Sequence, residues 1–109
     1  MLAKKVFRVA GSTPGTHLDA DHLGSFTFYI RNVAFRFVVT RLSLAEPVVT
    51  HRVSGRQVAR IPQAMLDAAR GDYVVAGKAA LERLVTVRGA DHVYSVLNSA
   101  ERDSALEEA

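Results

Sequence analysis

Residues 48–61 read VVTHRVSGRQVARI. Two short valine-containing runs meet at Ser54-Gly55, and Pro62 closes the second one off, which is the pattern of a β-hairpin. The hairpin stands at a seam. Before it the chain alternates like a set of strands and is rich in arginine; after it the chain is alanine-rich, with the punctuation of helices. That order, strands first and helices after, predicts an α+β fold rather than an alternating one.

The register of the hairpin decides what surface it offers. With a two-residue loop at Ser54-Gly55, Val49, His51 and Val53 share a face with Arg56, Val58 and Arg60, and both faces mix apolar with charged groups. With a three-residue loop, and Gly55 in the left-handed position of a bulge, Thr50, Arg52, Arg56 and Arg60 gather on one face. The second arrangement segregates polarity better and is the expected one. A slip of one residue turns every side chain over.

Working back from the hairpin, Glu46-Pro47 marks a turn, since the residue before proline is pushed out of helical geometry. In VAFRFVVTRL, from Val33, the side chains of Phe35, Phe37 and Val39 point one way and those of Arg36, Val38 and Thr40 the other. Ser25 to Arg31, SFTFYIR, alternates likewise, with Phe26, Phe28 and Ile30 opposed to Thr27, Tyr29 and Arg31. Asn32 tolerates the left-handed conformation of a tight turn, so these two strands pair antiparallel and their four phenylalanines form the heart of the core. Residues 3–9, AKKVFRV, make a first strand ending at Gly11. The connector GSTPGTHLDADHLG is a loop whose second part carries helix signals, with Thr16 as N-cap and Gly24 as terminator, predicting a turn or two of helix from His17 to Leu23.

Working forward, Pro62 suits the first helical position, so QAMLDAAR reads as a short helix stopped by Gly71. Asp72 is an N-cap for a longer helix, Tyr73 to Arg88, with Gly89 as its stop. Its small residues Ala76, Gly77, Ala79 and Ala80 let it lie close against a sheet. Asp91 caps a third helix through Leu97. The expected fold is therefore an α+β domain over residues 1–100, an antiparallel sheet of four to five strands with two to three helices on one face. Residues 101–109 follow as an acidic, flexible tail.

At 109 residues, 49% hydrophobic and 23% charged, the chain has ordinary globular composition and is long enough for a core of its own. It has no cysteine, which removes disulfides, thiolate nucleophiles and cysteine-based metal sites. No apolar run reaches the ~18 residues of a membrane span, and the N-terminal segment is too short and too interrupted for a signal peptide, so a cytoplasmic protein is expected. Eleven arginines against three lysines is the bias of GC-rich bacterial coding.

The chemical motifs are weak. His17, Asp19, Asp21 and His22 crowd together, but on a helix only two of them share a face, too few to hold a metal tightly, and a solvated loop is the better reading. GSTPGT has the glycines of a phosphate loop without its Lys-Ser/Thr ending. Arg70-Gly71-Asp72 spells an adhesion tripeptide but sits where one helix stops and the next is capped. A helix-turn-helix at the two short helices fails, because Asp67 occupies a position that wants a small core residue and Asp72 would place a carboxylate against phosphate. AFRFVV faintly echoes an RNA-recognition strand, yet that fold alternates strands and helices. His51 reads as a half-buried polar residue satisfied by a neighbour. No cofactor and no catalytic residues are expected.

Charge asymmetry remains. Residues 1–61 hold nine basic and three acidic side chains, and residues 62–109 hold five basic and eight acidic, within a net charge of +3. If helices cover the phenylalanine face, the other face would display Lys4, Arg8, Tyr29, Arg31, Arg36, Arg52, Arg56 and Arg60. Tyr29, Arg31, Arg36, Arg52, Arg56 and Arg60 are the candidate partner-binding set, since guanidinium forks beside an aromatic ring suit phosphates and bases. The expected function is a small non-enzymatic binding module contacting a polyanion, most sharply nucleic acid. The competing expectation is an accessory or inhibitor protein, of phage or other mobile-element origin, that docks on an acidic protein surface or forms a homodimer across the sheet. Exposed strands also carry arginine simply to stay solvated and to discourage edge pairing.

Overall fold

A computed structural model describes residues 5–11 and 15–108. In chain order its elements are β1 (Val6–Ala10), β2 (His17–Ile30), β3 (Val33–Arg41), β4 (Val48–His51), β5 (Gln57–Arg60), α1 (Gln63–Ala68), α2 (Tyr73–Arg88) and α3 (Ala90–Glu108). The strands form one antiparallel sheet in the order β1-β2-β3-β4-β5, each pairing with the strand before it. The sheet occupies the N-terminal half and the three helices the C-terminal half, the α+β arrangement expected from the sequence. Lys4 and residues 12–14 of the glycine-containing loop lie outside the described residues.

The phenylalanine strands pair as their alternation demands, Phe26 opposite Phe37 and Phe28 opposite Phe35. Their connection is a two-residue turn in which Arg31 and Asn32 both adopt positive φ, 53° and 63°, the geometry that matches the twist of a tight hairpin. Phe35, Phe37, Val39 and Val49 are fully buried beneath α2 and α3, together with Ala76, Leu81, Val93 and Leu97 from the helices. Asp72 caps α2 by accepting from the amides of Val74 and Val75 at 3.0 and 3.1 Å. A Cβ on Gly77 would come within 2.9 Å of the Phe26 ring and 3.0 Å of Val39, so the helix rests directly on the sheet at that point.

Four features differ from the sequence reading: residues 17–23, the open sheet face, the hairpin and the end of α3. The first is residues 17–23, expected as a short helix and found as the first half of β2. They pair with β1 from Ala10 opposite His17 to Val6 opposite Asp21. Seven residues with good caps cannot offset the cost of helix nucleation, whereas a strand there gains a ladder of backbone hydrogen bonds. Gly24, expected to end that helix, instead follows a β-bulge between His22 and Gly24, and its α-carbon faces Val74 of α2.

The bulge bends β2, and the bend carries the β1–β2 arm over the sheet face that the helices leave open. The amide of Ala10 donates to the carbonyl of Gly55 in the β4–β5 loop at 2.8 Å, and a Cβ on Gly55 would touch the backbone of Arg8, Val9 and Ala10. Val9, Ala20 and Val38, which lie outside the main core, are buried, and so are Thr40 and Thr50. The two threonine hydroxyls satisfy each other at 2.9 Å. This face was expected to be open; the arm closes its middle.

The third difference is the hairpin itself. Val49 lies opposite Ala59 and Thr50 opposite Gln57, so Val58 is the extra residue of a bulge in β5. The amide of His51 donates to the Arg56 carbonyl and that of Gly55 to the His51 carbonyl, at 2.9 and 2.8 Å. The loop is therefore four residues, Arg52 to Gly55, and neither of the two registers weighed above. The bulge lets Val58 and Ala59 both pack against the helix-side core. α3 also runs further than Leu97, through the segment read as an acidic tail, to Glu108.

Candidate functional site

The six candidate residues fall into three places. Arg36 lies on β3 opposite Thr27 and is exposed. Arg52 follows β4 and donates its amide to the Arg36 carbonyl at 3.0 Å, so the two arginines are cross-strand neighbours. Tyr29, opposite Ala34 on β2, is 69% exposed and sits diagonally next to Arg36. These three share the sheet face turned away from the helices, at the end that the β1–β2 arm does not cover.

Lys5 joins them from the arm. It pairs with His22, whose amide donates to the Lys5 carbonyl at 2.9 Å. Partial burial pushes the His22 imidazole below its ordinary value, and the charges of Lys5 and Arg52 push it the same way, so both cations lie within electrostatic reach of one ring. Among the described residues neither Arg36 nor Arg52 forms an ion pair. Lys5 was missing from the sequence reading because the face of β1 is set by its pairing with the bent half of β2.

The other three residues leave this surface. Arg31 turns to the helix side, where its Nε lies 3.3 Å from Asp91 and its guanidinium 4.8 Å from the centre of the Tyr94 ring. Arg56 borders a cavity beneath the hairpin, beside His51. Arg60, opposite Val48 on the edge strand, borders a groove with Met65 of α1 and Arg83 of α2. The line of Thr50, Arg52, Arg56 and Arg60 expected from a three-residue loop does not form, and Thr50 is buried.

His51 is a functional candidate that sequence reasoning undervalued. It is wholly buried between the Phe35 and Phe37 rings. Its Nδ1 is 2.8 Å from Ser54 Oγ, and its Nε2 is 3.4 Å from Glu101 Oε1 on α3, too long for a good hydrogen bond. Nε2 is left without a hydrogen-bond partner. Burial holds the imidazole below its ordinary value despite the opposing pull of Glu101, so the ring is neutral at pH 7. Serine, histidine and glutamate in that order suggest acyl transfer in outline. The amides of the two residues after Ser54 are both engaged, however, Gly55 donating to the His51 carbonyl and Arg56 to Ser54 Oγ at 3.3 Å. Neither is available to an oxyanion, and the cluster works as a staple that holds the four-residue loop.

Nothing in the sequence points to the Glu101 contact, which joins residues fifty positions apart. The His17, Asp19, Asp21 and His22 cluster now lies on a strand, with His22 on the opposite face from the other three, and the described residues contain no group of three or more side chains arranged to hold a metal ion. Among the described residues no helix is long and apolar enough to cross a membrane. No family model matches the chain, and no match was found among curated proteins or solved structures.

Proposed function

We propose that the protein is a non-enzymatic binding module that contacts nucleic acid through the uncovered end of its sheet, with Lys5, Arg36 and Arg52 meeting phosphates and Tyr29 offering a ring to a base. The observation that carries this reading is the Arg36–Arg52 pair. Like charges on directly opposed strand positions cost stability, and no carboxylate among the described residues offsets them. A polyanion would. Guanidinium groups side by side present several donors to adjacent phosphate oxygens, and an exposed tyrosine beside them stacks on any base without regard to sequence. The surface is small, so the binding is through backbone phosphates and stacking rather than readout of base edges. A cytoplasmic placement fits such a partner.

The test is fluorescence anisotropy with labelled single-stranded and duplex oligonucleotides over a range of salt. Three cations released against duplex phosphates give a log–log slope of roughly −2 to −3. An Arg36→Glu, Arg52→Glu double change should abolish binding, and Tyr29→Ala should weaken single-strand binding more than duplex binding. No binding at low salt, or binding indifferent to the double change, would rule the reading out.

A further inference from the structure

Between the β4–β5 hairpin and the facing sides of α2 and α3 lies a cavity of about 210 Å³. Its walls are of two kinds. Leu84, Val93 and Leu97 supply apolar surface, while Arg56 from the start of β5 and Arg88 from the end of α2 both border it. Neither arginine forms an ion pair among the described residues. His51 lines the same space with a side chain that is 0% exposed, and its Nε2 has no hydrogen-bond partner. A buried ring nitrogen left unsatisfied costs stability unless something supplies the missing bond.

We propose that this cavity is a binding site for a small organic carboxylate with a short apolar body. The arginine forks hold the carboxylate, the leucine and valine walls hold the body, and the His51 edge sets its orientation. Charge selects the class: two guanidiniums border the space, and among the described residues no carboxylate lines it; Glu101, 3.4 Å from Nε2, stays beyond good hydrogen-bond range of the ring. Size narrows it, because the cavity falls below the ~300–1,000 Å³ of sites for drug-sized ligands. A ligand of metabolite size fits; a nucleotide or a long acyl chain does not. Sites of this composition, mostly apolar with a few convergent polar groups, are the usual form of small-molecule pockets. The proposal stands apart from the nucleic-acid surface, which uses Arg36 and Arg52 on the other side of the sheet.

Octanoate is the probe, with octylamine as its counterpart of equal body and opposite charge, each titrated into the full chain and followed by ¹H–¹⁵N correlation spectra. Octanoate should give saturable shifts confined to the amides of residues 54–58, 84–88 and 92–97, and octylamine none that saturate. An Arg56→Glu, Arg88→Glu double change should weaken octanoate at least tenfold. Val96→Trp, at a lining position 53% exposed on the rim, should block entry with the core undisturbed; the spectrum of each variant without ligand reports its fold. Equal binding of both probes would reduce the site to an apolar crevice and overturn the proposal. So would shifts scattered over the surface, failure of octanoate to saturate, or full affinity in either variant. None of these results bears on oligonucleotide binding, which both variants should retain.

Discussion

Arg52 donates its backbone amide to the carbonyl of Arg36 at 3.0 Å, which sets two guanidinium-bearing side chains abreast on neighbouring strands. Among the described residues no ion pair offsets their repulsion. Arg52→Thr should therefore stabilise the fold by about 0.5 kcal/mol at low ionic strength, and the gain should vanish in 0.5 M salt, where charges are screened over a few ångströms. Urea melts at two salt concentrations would measure this, and a loss of stability at low salt would show that the pair is not strained. The same substitution should weaken oligonucleotide binding, so that stability and affinity move in opposite directions.

Thr40 and Thr50 bond to each other in a buried pocket, which makes their contributions inseparable. Thr40→Val or Thr50→Val alone strands one hydroxyl and should cost about 1–2 kcal/mol, whereas the double change to valine leaves nothing unpaired and should cost less than either. A double-mutant cycle by chemical denaturation reads the coupling directly. Additive losses would mean that each hydroxyl has its own partner.

Gly77 lies mid-helix in α2, where alanine would ordinarily gain about 1 kcal/mol in helix propensity. Here a methyl group would press on Phe26 and Val39, and both belong to the main core or pack against it. Gly77→Ala should instead destabilise by about 1–3 kcal/mol, as overpacking does. A raised melting temperature would show that the sheet yields.

His51 should make stability depend on pH in the range just below neutrality. Its imidazole is held below the ordinary value of 6.5 by burial, with Glu101 of α3 pulling the other way, and the nearby Arg56, Arg88 and His92 that border the same cavity add no negative charge. As pH falls through 6.5 the unfolded chain takes up the proton first, so stability drops until the folded ring also protonates. Above that range both states are neutral and the effect is absent. His22 adds to it with the same sign, since burial, Lys5 and Arg52 lower it too. Thermal melts between pH 5 and 7.5 should show stability rising with pH, and His51→Gln should flatten the slope. A slope unchanged by that substitution would assign the effect elsewhere.

Local signals were legible where a strand or helix could stand on its own pattern. The alternation of Phe26 to Ile30 and Phe35 to Val39, the turn at Asn32, the cap at Asp72 and the stop at Gly89 all carried their meaning in a few adjacent residues, and the sheet-then-helix order followed. What was not legible depended on distant partners. Residues 17–23 hold the letters of a capped helix, and only β1 lying alongside makes them a strand. The bulge at Val58 answers to the helix-side core, which lies outside the hairpin, so the register could not be settled from VVTHRVSGRQVARI alone. Three of the five candidate arginines left the expected surface for reasons of the same kind: Arg31 is claimed by Asp91 and Tyr94, Arg56 borders the cavity, and Arg60 borders the groove against α1 and α2. The buried state of His51 rests on packing from both the sheet and α3, and a lone histidine in a polar hairpin gives no sign of that.

Because each strand pairs with the one before it, the sheet can be assembled strictly in the order of synthesis, and a ribosome would deliver all five strands before any residue of α2 emerges. At that stage Phe26, Phe28, Phe35 and Phe37 face water on one side of a completed hydrogen-bonded platform. The helix that first covers them is also the one whose Gly77 must sit flush against Phe26. Emergence of α2 and then α3 is thus the step at which the nascent chain stops being adhesive, and the interval between the emergence of β5 and that of α3 is the one in which a chaperone has most to bind.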